Sequence, residues 1–300
     1  MINLFLIFLI IGAGITSQTR ANEIKYDKER GKYLFNISGC KNCHTQKKDG
    51  NKLPAGGVRI KTPFGIFYGS NITPDKEFGI GDWRDMDFLN ALKKGISPTG
   101  NDYFPVFPYN SYTQLTNRDI LDIKSYIFSL PPVAIKNIKH ELKFPKLMRK
   151  ATYFWKLLFF KEGDFEYVNQ KSPNWNRGAY LVRAVAHCGE CHSPRNIFGG
   201  IKNYKSLSGN MTGLHNLSAP NITPDIATGI GKWTKSEFID FLQSGMLPNG
   251  DFTGGKMAEV IDNFSVLKRK DTKAITDYIL SLKPIKGKQD ELYTLYYMDI

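Results

Sequence analysis

Apolar residues recur at helical rather than strand spacing through most of this chain. Asp27 to Ser38 and Asn176 to Ala186 each read as a helix running into a cysteine pair. A long stretch rich in Gly, Pro and Asn follows each, with the composition of a loop. Phe88, Leu89 and Leu92 then share one face of a short helix, as do Phe238, Ile239 and Leu242, and Gly95 and Gly245 sit where left-handed caps would end them. A closing helix starts at Thr116-Asn117-Arg118-Asp119 and is stopped by Pro131-Pro132; another runs from about Asp271 to Leu282 and stops at Pro284. Strand-type alternation is nearly absent. The expected fold class is therefore all-α, with short helices and long loops.

The pattern occurs twice. NITPDKEFGIGDW at 71–83 matches NITPDIATGIGKW at 221–233, an offset of 150 that also pairs Phe88 with Phe238, Gly95 with Gly245 and Phe107 with Met257. RGKYL at 30–34 matches RGAYL at 177–181, and DIKSYIFSLPP at 122–132 resembles AITDYILSLKP at 274–284. Ordered matches over whole units indicate a tandem duplication. The expected organisation is a signal peptide at 1–21, one domain at 22–132, a connector at 133–172, a second domain at 173–286 and a tail at 287–300.

Two segments stand outside the repeat. Leu4 to Ile15 is an apolar run of signal-peptide length, and Thr19-Arg20-Ala21 offers a small-x-small cleavage site, although no basic residue precedes the run. Export to the periplasm is the expectation, with an uncleaved anchor as the alternative. The connector carries Phe154, Trp155, Leu157, Leu158, Phe159 and Phe160, too apolar for a flexible linker. These residues are expected to pack across the domain interface, with peripheral membrane association or partner docking as the other reading. The 300 residues are 41% hydrophobic and carry a formal charge of +13, spread over lysines mixed with acidic residues. No nucleic-acid-binding signature accompanies that charge, so no nucleic acid partner is expected.

All four cysteines lie in two C-x-x-C-H pentapeptides, CKNCH at 40–44 and CGECH at 188–192. Two thiols at this spacing can add to the two vinyl groups of one porphyrin, and the adjoining histidine then reaches the iron. Cys40 and Cys43 are thus expected to hold one covalent haem c with His44 as axial ligand, and Cys188 and Cys191 a second with His192. A zinc site would bring two pairs within about twenty residues of each other, and a redox dithiol would sit in a βαβ unit; neither context is present.

Each haem iron has a sixth position. Met257, in the loop before the last helix, is the expected ligand of the second haem in preference to Met246 and Met211, which sit closer to helix or turn positions, because a thioether stabilises the ferrous state. The same position in the first unit is Phe107, which has no donor atom. Met86, a tyrosine (Tyr103, Tyr109 or Tyr112) or an open or water-filled site remain as alternatives there. Trp83 and Trp233 read equally as core residues or as donors to haem propionates. Asn71 and Asn221 read as turn caps, His187 as a residue near the haem edge, and His140 and His215 as surface residues.

Taken in order, C-x-x-C-H, NITPD with GIG-W, SYIFSLPP, WNRGAYLV, HCGECHSPRN and GKMAEV resemble the cytochrome c subunits of bacterial membrane-bound alcohol, gluconate and aldehyde dehydrogenases and thiosulfate dehydrogenase-like relatives, over residues 26 to 284. The resemblance implies tandem cytochrome c domains wrapped around covalent haem. It also implies a periplasmic carrier that takes electrons from a dehydrogenase subunit and passes them to quinone or a terminal oxidase. The family's subunits usually carry three haem domains, against two here, and a methionine where this chain has Phe107. An enzyme or sensor built on an open first haem is the alternative function.

Overall fold

The computed structural model describes residues 26–46, 52–210 and 218–287. The apolar run at Leu4 to Ile15, its expected cleavage site, Met211 and His215 lie outside the described residues.

The first unit opens with α1 (Lys28–Ile37), started by the Asp27 carboxylate, which accepts from the Arg30 amide at 3.0 Å. α2 (Cys40–His44) is the first pentapeptide, and α3 (Asp85–Lys94) ends on a left-handed Gly95. After α4 (Tyr109–Tyr112), the unit closes with α5 (Asn117–Phe128), capped by Thr116. The connector forms α6 (Pro145–Phe159). The second unit comprises α7 (Pro173–Tyr180), a π-helical turn (Leu181–Val185), α8 (Gly189–His192), α9 (Lys235–Ser244), α10 (Gly255–Phe264) and α11 (Arg269–Leu280).

In each unit the first and last helices cross at a glycine. A Cβ on Gly31 would lie 1.8 Å from the Asp122 carbonyl oxygen, and one on Gly178 would lie 1.9 Å from that of Ala274. The absence of a side chain lets α1 reach α5 and α7 reach α11. Leu34, Phe35, Ile120, Ile123 and Ile127 bury into one core with Leu181, Val182, Ile275 and Ile279, continuous between the units.

The mostly helical expectation holds, with one correction. β1 (Arg59–Thr62), β2 (Gly65–Tyr68) and β3 (Glu141–Leu142) form an antiparallel sheet in the order β1-β2-β3. Strands of four and two residues are too short to impose a legible alternation, and the third comes from the connector. His140 is exposed, as expected, but accepts from the Tyr68 amide at 3.2 Å and so helps hold this sheet.

The Asn-Ile-Thr repeats pin each long loop. Asn71 Oδ1 accepts from the Thr73 amide at 3.0 Å and hydroxyl at 2.7 Å, and its Nδ2 donates to the Val133 carbonyl at 2.7 Å. Asn221 makes the corresponding bonds, at 2.8 Å to the Thr223 amide, 2.8 Å to its hydroxyl and 2.7 Å to the Ile285 carbonyl. Both asparagines are turn residues, as expected, and both also tie the loop to the chain beyond the closing helix. Trp83 and Trp233 are half-buried edge-on to Phe88 and Phe238.

α6 meets the expectation for the connector on one face only. The Trp155 indole donates to the Phe198 carbonyl in the second unit at 2.8 Å, while Trp155 and Phe160 flank Tyr109 of the first. On the opposite face Leu147, Tyr153, Phe154, Leu157 and Leu158 are exposed, Leu158 by 74%.

Candidate metal centres

Each pentapeptide folds as about one helical turn. Residues at i, i+3 and i+4 of a helix share a face, so Cys40, Cys43 and His44 face one way, as do Cys188, Cys191 and His192. The four thiols are free of disulfides. Burial pushes the Cys40 and Cys188 thiols up to about 12 and raises Cys191. Among the described residues no three His, Cys, Asp or Glu side chains converge on a point. That donor arrangement does not suit zinc, but it suits a porphyrin, which brings four nitrogens of its own.

The histidines supply the sharper fit. His44 Nδ1 lies 2.7 Å from the Ser70 carbonyl oxygen, and His192 Nδ1 lies 2.7 Å from that of Pro220. A carbonyl only accepts, so Nδ1 carries the proton in both rings and Nε2 is left with a free lone pair. Burial lowers both histidine pKa values, against a smaller raising effect of the carbonyl bonds, and keeps the rings neutral. A neutral imidazole fixed through Nδ1 is what an axial iron ligand requires. The chain also closes alike around each: the Gly56 amide donates to the His44 carbonyl and the Gly209 amide to that of His192, both at 2.7 Å.

The sixth-position candidates are placed differently. Met257 stands half-buried in the first turn of α10, so the expected loop is instead the start of a helix. Gly254 and Gly255 precede it and the apolar run Val260, Ile261 and Phe264 continues it. Phe107 precedes Pro108, which disfavours helix at the residue before it, and it lies in a turn ahead of the much shorter α4. Its ring is edge-on to Tyr103 at 5.6 Å and to Tyr112 at 5.7 Å. Met86 is 58% exposed at the start of α3.

The two attachment turns are neighbours. Gly39, which opens the first attachment turn, lies against α10, where a Cβ on it would be 3.4 Å from the Asn263 side-chain nitrogen, and burial chiefly pushes the Cys43 thiol up to about 11. His187, as expected, sits beside the attachment turn. It takes the left-handed conformation (φ 40°) that Gly39 takes at the matching position (φ 63°), and its Nε2 donates to the Ser38 carbonyl at 3.1 Å. The Ser111 hydroxyl donates to Glu190 Oε1 at 2.8 Å, a second tie between the units. Sequence reading did not assign Tyr33 and Tyr180, which bond across the units to Asp271 and Asp119 at 2.6 and 2.5 Å. The signal was present in the matching RGKYL and RGAYL segments.

A family model described as Cytochrome c matches residues 28–131. The chain is similar to a diheme cytochrome c-type protein of Cereibacter sphaeroides, at 34% identity over 296 residues, covering 93% of this chain and 97% of that protein. It is similar to the fructose dehydrogenase cytochrome subunit of Gluconobacter japonicus at 35% identity over 292 residues, covering 95% of this chain and 59% of the subunit. A nicotinate dehydrogenase subunit of Pseudomonas putida is 35% identical over 256 residues, which are 85% of this chain and 21% of that protein. The chain thus spans about a fifth to three-fifths of the dehydrogenase subunits named here, and nearly all of the diheme protein.

Proposed function

The chain belongs to the cytochrome c family, and from that premise we propose that it is a dihaem electron carrier, with one covalent haem c in each of two duplicated domains. The observation that carries this reading is the matched pair of histidine–carbonyl bonds, each beside its own C-x-x-C turn. Cys40 and Cys43 would hold one haem and Cys188 and Cys191 the other, with His44 and His192 as proximal ligands and Met257 as the sixth ligand of the second. Bound haem supplies a one-electron ferric–ferrous couple. The protein's part is to fix each imidazole tautomer, shield the iron from water and hold the attachment turns close enough for exchange between them.

The donor is proposed to be a dehydrogenase, in keeping with the names of several relatives, and the acceptor a respiratory quinone pool or terminal oxidase. The apolar segment at Leu4 to Ile15 supports a site of action on the exported, periplasmic side. The exposed face of α6 is proposed to rest on an anionic bilayer, because exposed lysines at 139, 143, 150 and 161 lie on the helix or within a few residues of its ends in the chain.

A pyridine haemochrome count on the purified exported protein tests the central reading, with two haems per chain expected. Loss of one haem in each of Cys40→Ala/Cys43→Ala and Cys188→Ala/Cys191→Ala would assign the sites. A chain carrying no covalent haem would overturn the proposal.

A further inference from the structure

Resting on the covalent haem proposed above, we infer that Met148 of α6 is the sixth ligand of the iron held by His44, so that the connector and not the first repeat completes that site. The repeat itself offers no donor at the matching place. Residue 107 stands where the second unit has Met257, and a phenyl ring has no lone pair to give. The Phe107 amide donates to the Phe104 carbonyl at 3.0 Å, its carbonyl accepts from the Tyr109 amide at 2.8 Å, and its ring lies edge-on to Tyr103 and Tyr112. A protein ligand for this iron has to come from another segment.

The connector supplies one. Leu142 of β3 pairs with Gly65 of β2, which lays the connector against the first unit, and α6 then begins at Pro145. Met148 is half-buried and packs against the cluster of Ile60, Phe67 and Phe104. The attachment cysteine Cys43 packs against the same cluster, and so does Val106, the neighbour of Phe107. One cluster therefore gathers Met148, a porphyrin attachment point and the segment that carries position 107.

That placement is held by the backbone and by the next side chain. The Met148 amide donates to the Phe144 carbonyl at 2.8 Å, and its carbonyl accepts from the Thr152 hydroxyl at 2.9 Å. Arg149 donates to the Asp102 carbonyl at 2.6 Å and lies over the Phe104 ring, 4.1 Å from its centroid, which pins this turn of α6 to the 102–107 segment. A thioether carries no proton and no charge, so a methionine packed among apolar side chains can meet iron without being deprotonated or stripped of water.

The rival donors are placed less well. Met86 is 58% exposed at the start of α3, the Tyr112 hydroxyl donates to the Ser38 carbonyl at 3.4 Å, and Tyr109 is enclosed by Trp155 and Phe160. His140 is the competitor. Its ring lies 5.2 Å from that of Phe67 and 5.9 Å from that of Phe104, but its Nδ1 already accepts from the Tyr68 amide, and it is exposed where Met148 is half-buried.

The test uses the holoprotein and reads three signals: the sulfur-to-iron charge-transfer band of the ferric state, the ferric spin states by electron paramagnetic resonance, and carbon monoxide uptake after dithionite reduction. The wild type, with two haems per chain, is expected to show two low-spin centres and a band from two thioether ligands. Met148→Leu, close in volume, is expected to keep both haems, lose half of the band and bind one carbon monoxide per two haems. Met257→Leu should remove the other half. Met148→His should also lose half of the band, yet keep both centres low-spin and lower one midpoint potential, which a merely structural role for Met148 would not produce. Two haems with an unchanged band in Met148→Leu would overturn the inference, as would one high-spin centre in the wild type. Loss of low-spin ligation in His140→Gln but not in Met148→Leu would overturn it in favour of the histidine. A chain with no haem on Cys40 and Cys43 would instead overturn the dihaem reading, and this inference with it.

Discussion

At the scale of single residues, one glycine and one histidine set the architecture around each attachment turn, Gly31 and His44 in the first unit and Gly178 and His192 in the second. Gly31 and Gly178 are helical positions where alanine would ordinarily be favoured by about 1 kcal/mol. Here the added Cβ meets a carbonyl oxygen at 1.8 or 1.9 Å, and the crossing helices must separate. Overpacking of that kind costs about 1–3 kcal/mol or more, so the clash wins. Gly178→Ala is expected to lower the thermal midpoint of the holoprotein by several degrees in a circular dichroism melt. Gly163→Ala, with nothing within 4 Å of the new Cβ, should leave it within about 0.5 kcal/mol of wild type. An unchanged melt for Gly178→Ala would show that the helices have slack at their crossing. These glycines were visible in RGKYL and RGAYL as repeated residues, but the sequence did not say that a carbonyl from the far end of each unit lies above them.

At the scale of elements, the helices were legible wherever their ends carry local chemistry. Thr116 accepts from the Asp119 amide, and Gly95 and Gly245 take the left-handed caps the sequence suggested. The β1–β2–β3 sheet was not legible, because Gly65 pairs with Leu142, and pairing over that separation leaves no local trace. The start of α10 was read as loop because two glycines open it. α6 was legible as an apolar connector, but only three dimensions divide its aromatic residues into a face that joins the units and a face that meets solvent. That outer face carries a prediction. Seating Leu157 and Leu158 in a bilayer interface would contribute up to about 1.5–3 kcal/mol each. Leu157→Glu/Leu158→Glu is therefore expected to weaken co-sedimentation with vesicles containing phosphatidylglycerol by at least about tenfold, even if burial is only partial. The haem spectrum should not change, since both side chains are exposed. Binding of the wild type to neutral phosphatidylcholine vesicles should be weaker, and salt should reduce the difference. Equal sedimentation of wild type and variant would assign the face to something other than a lipid surface.

At the scale of the whole molecule, the two units are locked by a reciprocal pair of bonds. Tyr33 of the first donates to Asp271 of the second at 2.6 Å, and Tyr180 of the second donates to Asp119 of the first at 2.5 Å. Each acceptor is also held within its own unit, Asp119 by Arg30 and Asp271 by Arg177 at 2.8 and 3.0 Å. The carboxylates therefore tie each unit's crossing helices together and join the units to each other. Burial alone would raise the Asp271 pKa, but the Arg177 guanidinium and the Tyr33 hydroxyl hold it below the usual carboxylate value. The sign follows from linkage. A group with a depressed folded pKa contributes stability that is full above the unfolded value, about 4, and is lost as pH falls through the folded one. Tyr33→Phe removes one of the influences that hold Asp271 down, leaving Arg177 and Lys270, so its carboxyl should protonate at higher pH and the acid unfolding midpoint should rise. Near neutral pH a hydrogen bond to a charged group is worth about 1.5–3 kcal/mol, less here because the site is only partly enclosed. Tyr180→Phe should produce a similar loss through Asp119. With both hydroxyls gone the units are expected to unfold in two calorimetric transitions where the wild type shows one, because both buried carboxylate bridges between them are then lost and the bonds of His187 to Ser38, Ser111 to Glu190 and Trp155 to Phe198 remain. A single unchanged transition in the double variant would place the coupling in the shared apolar core instead, and would leave the tyrosines as local braces.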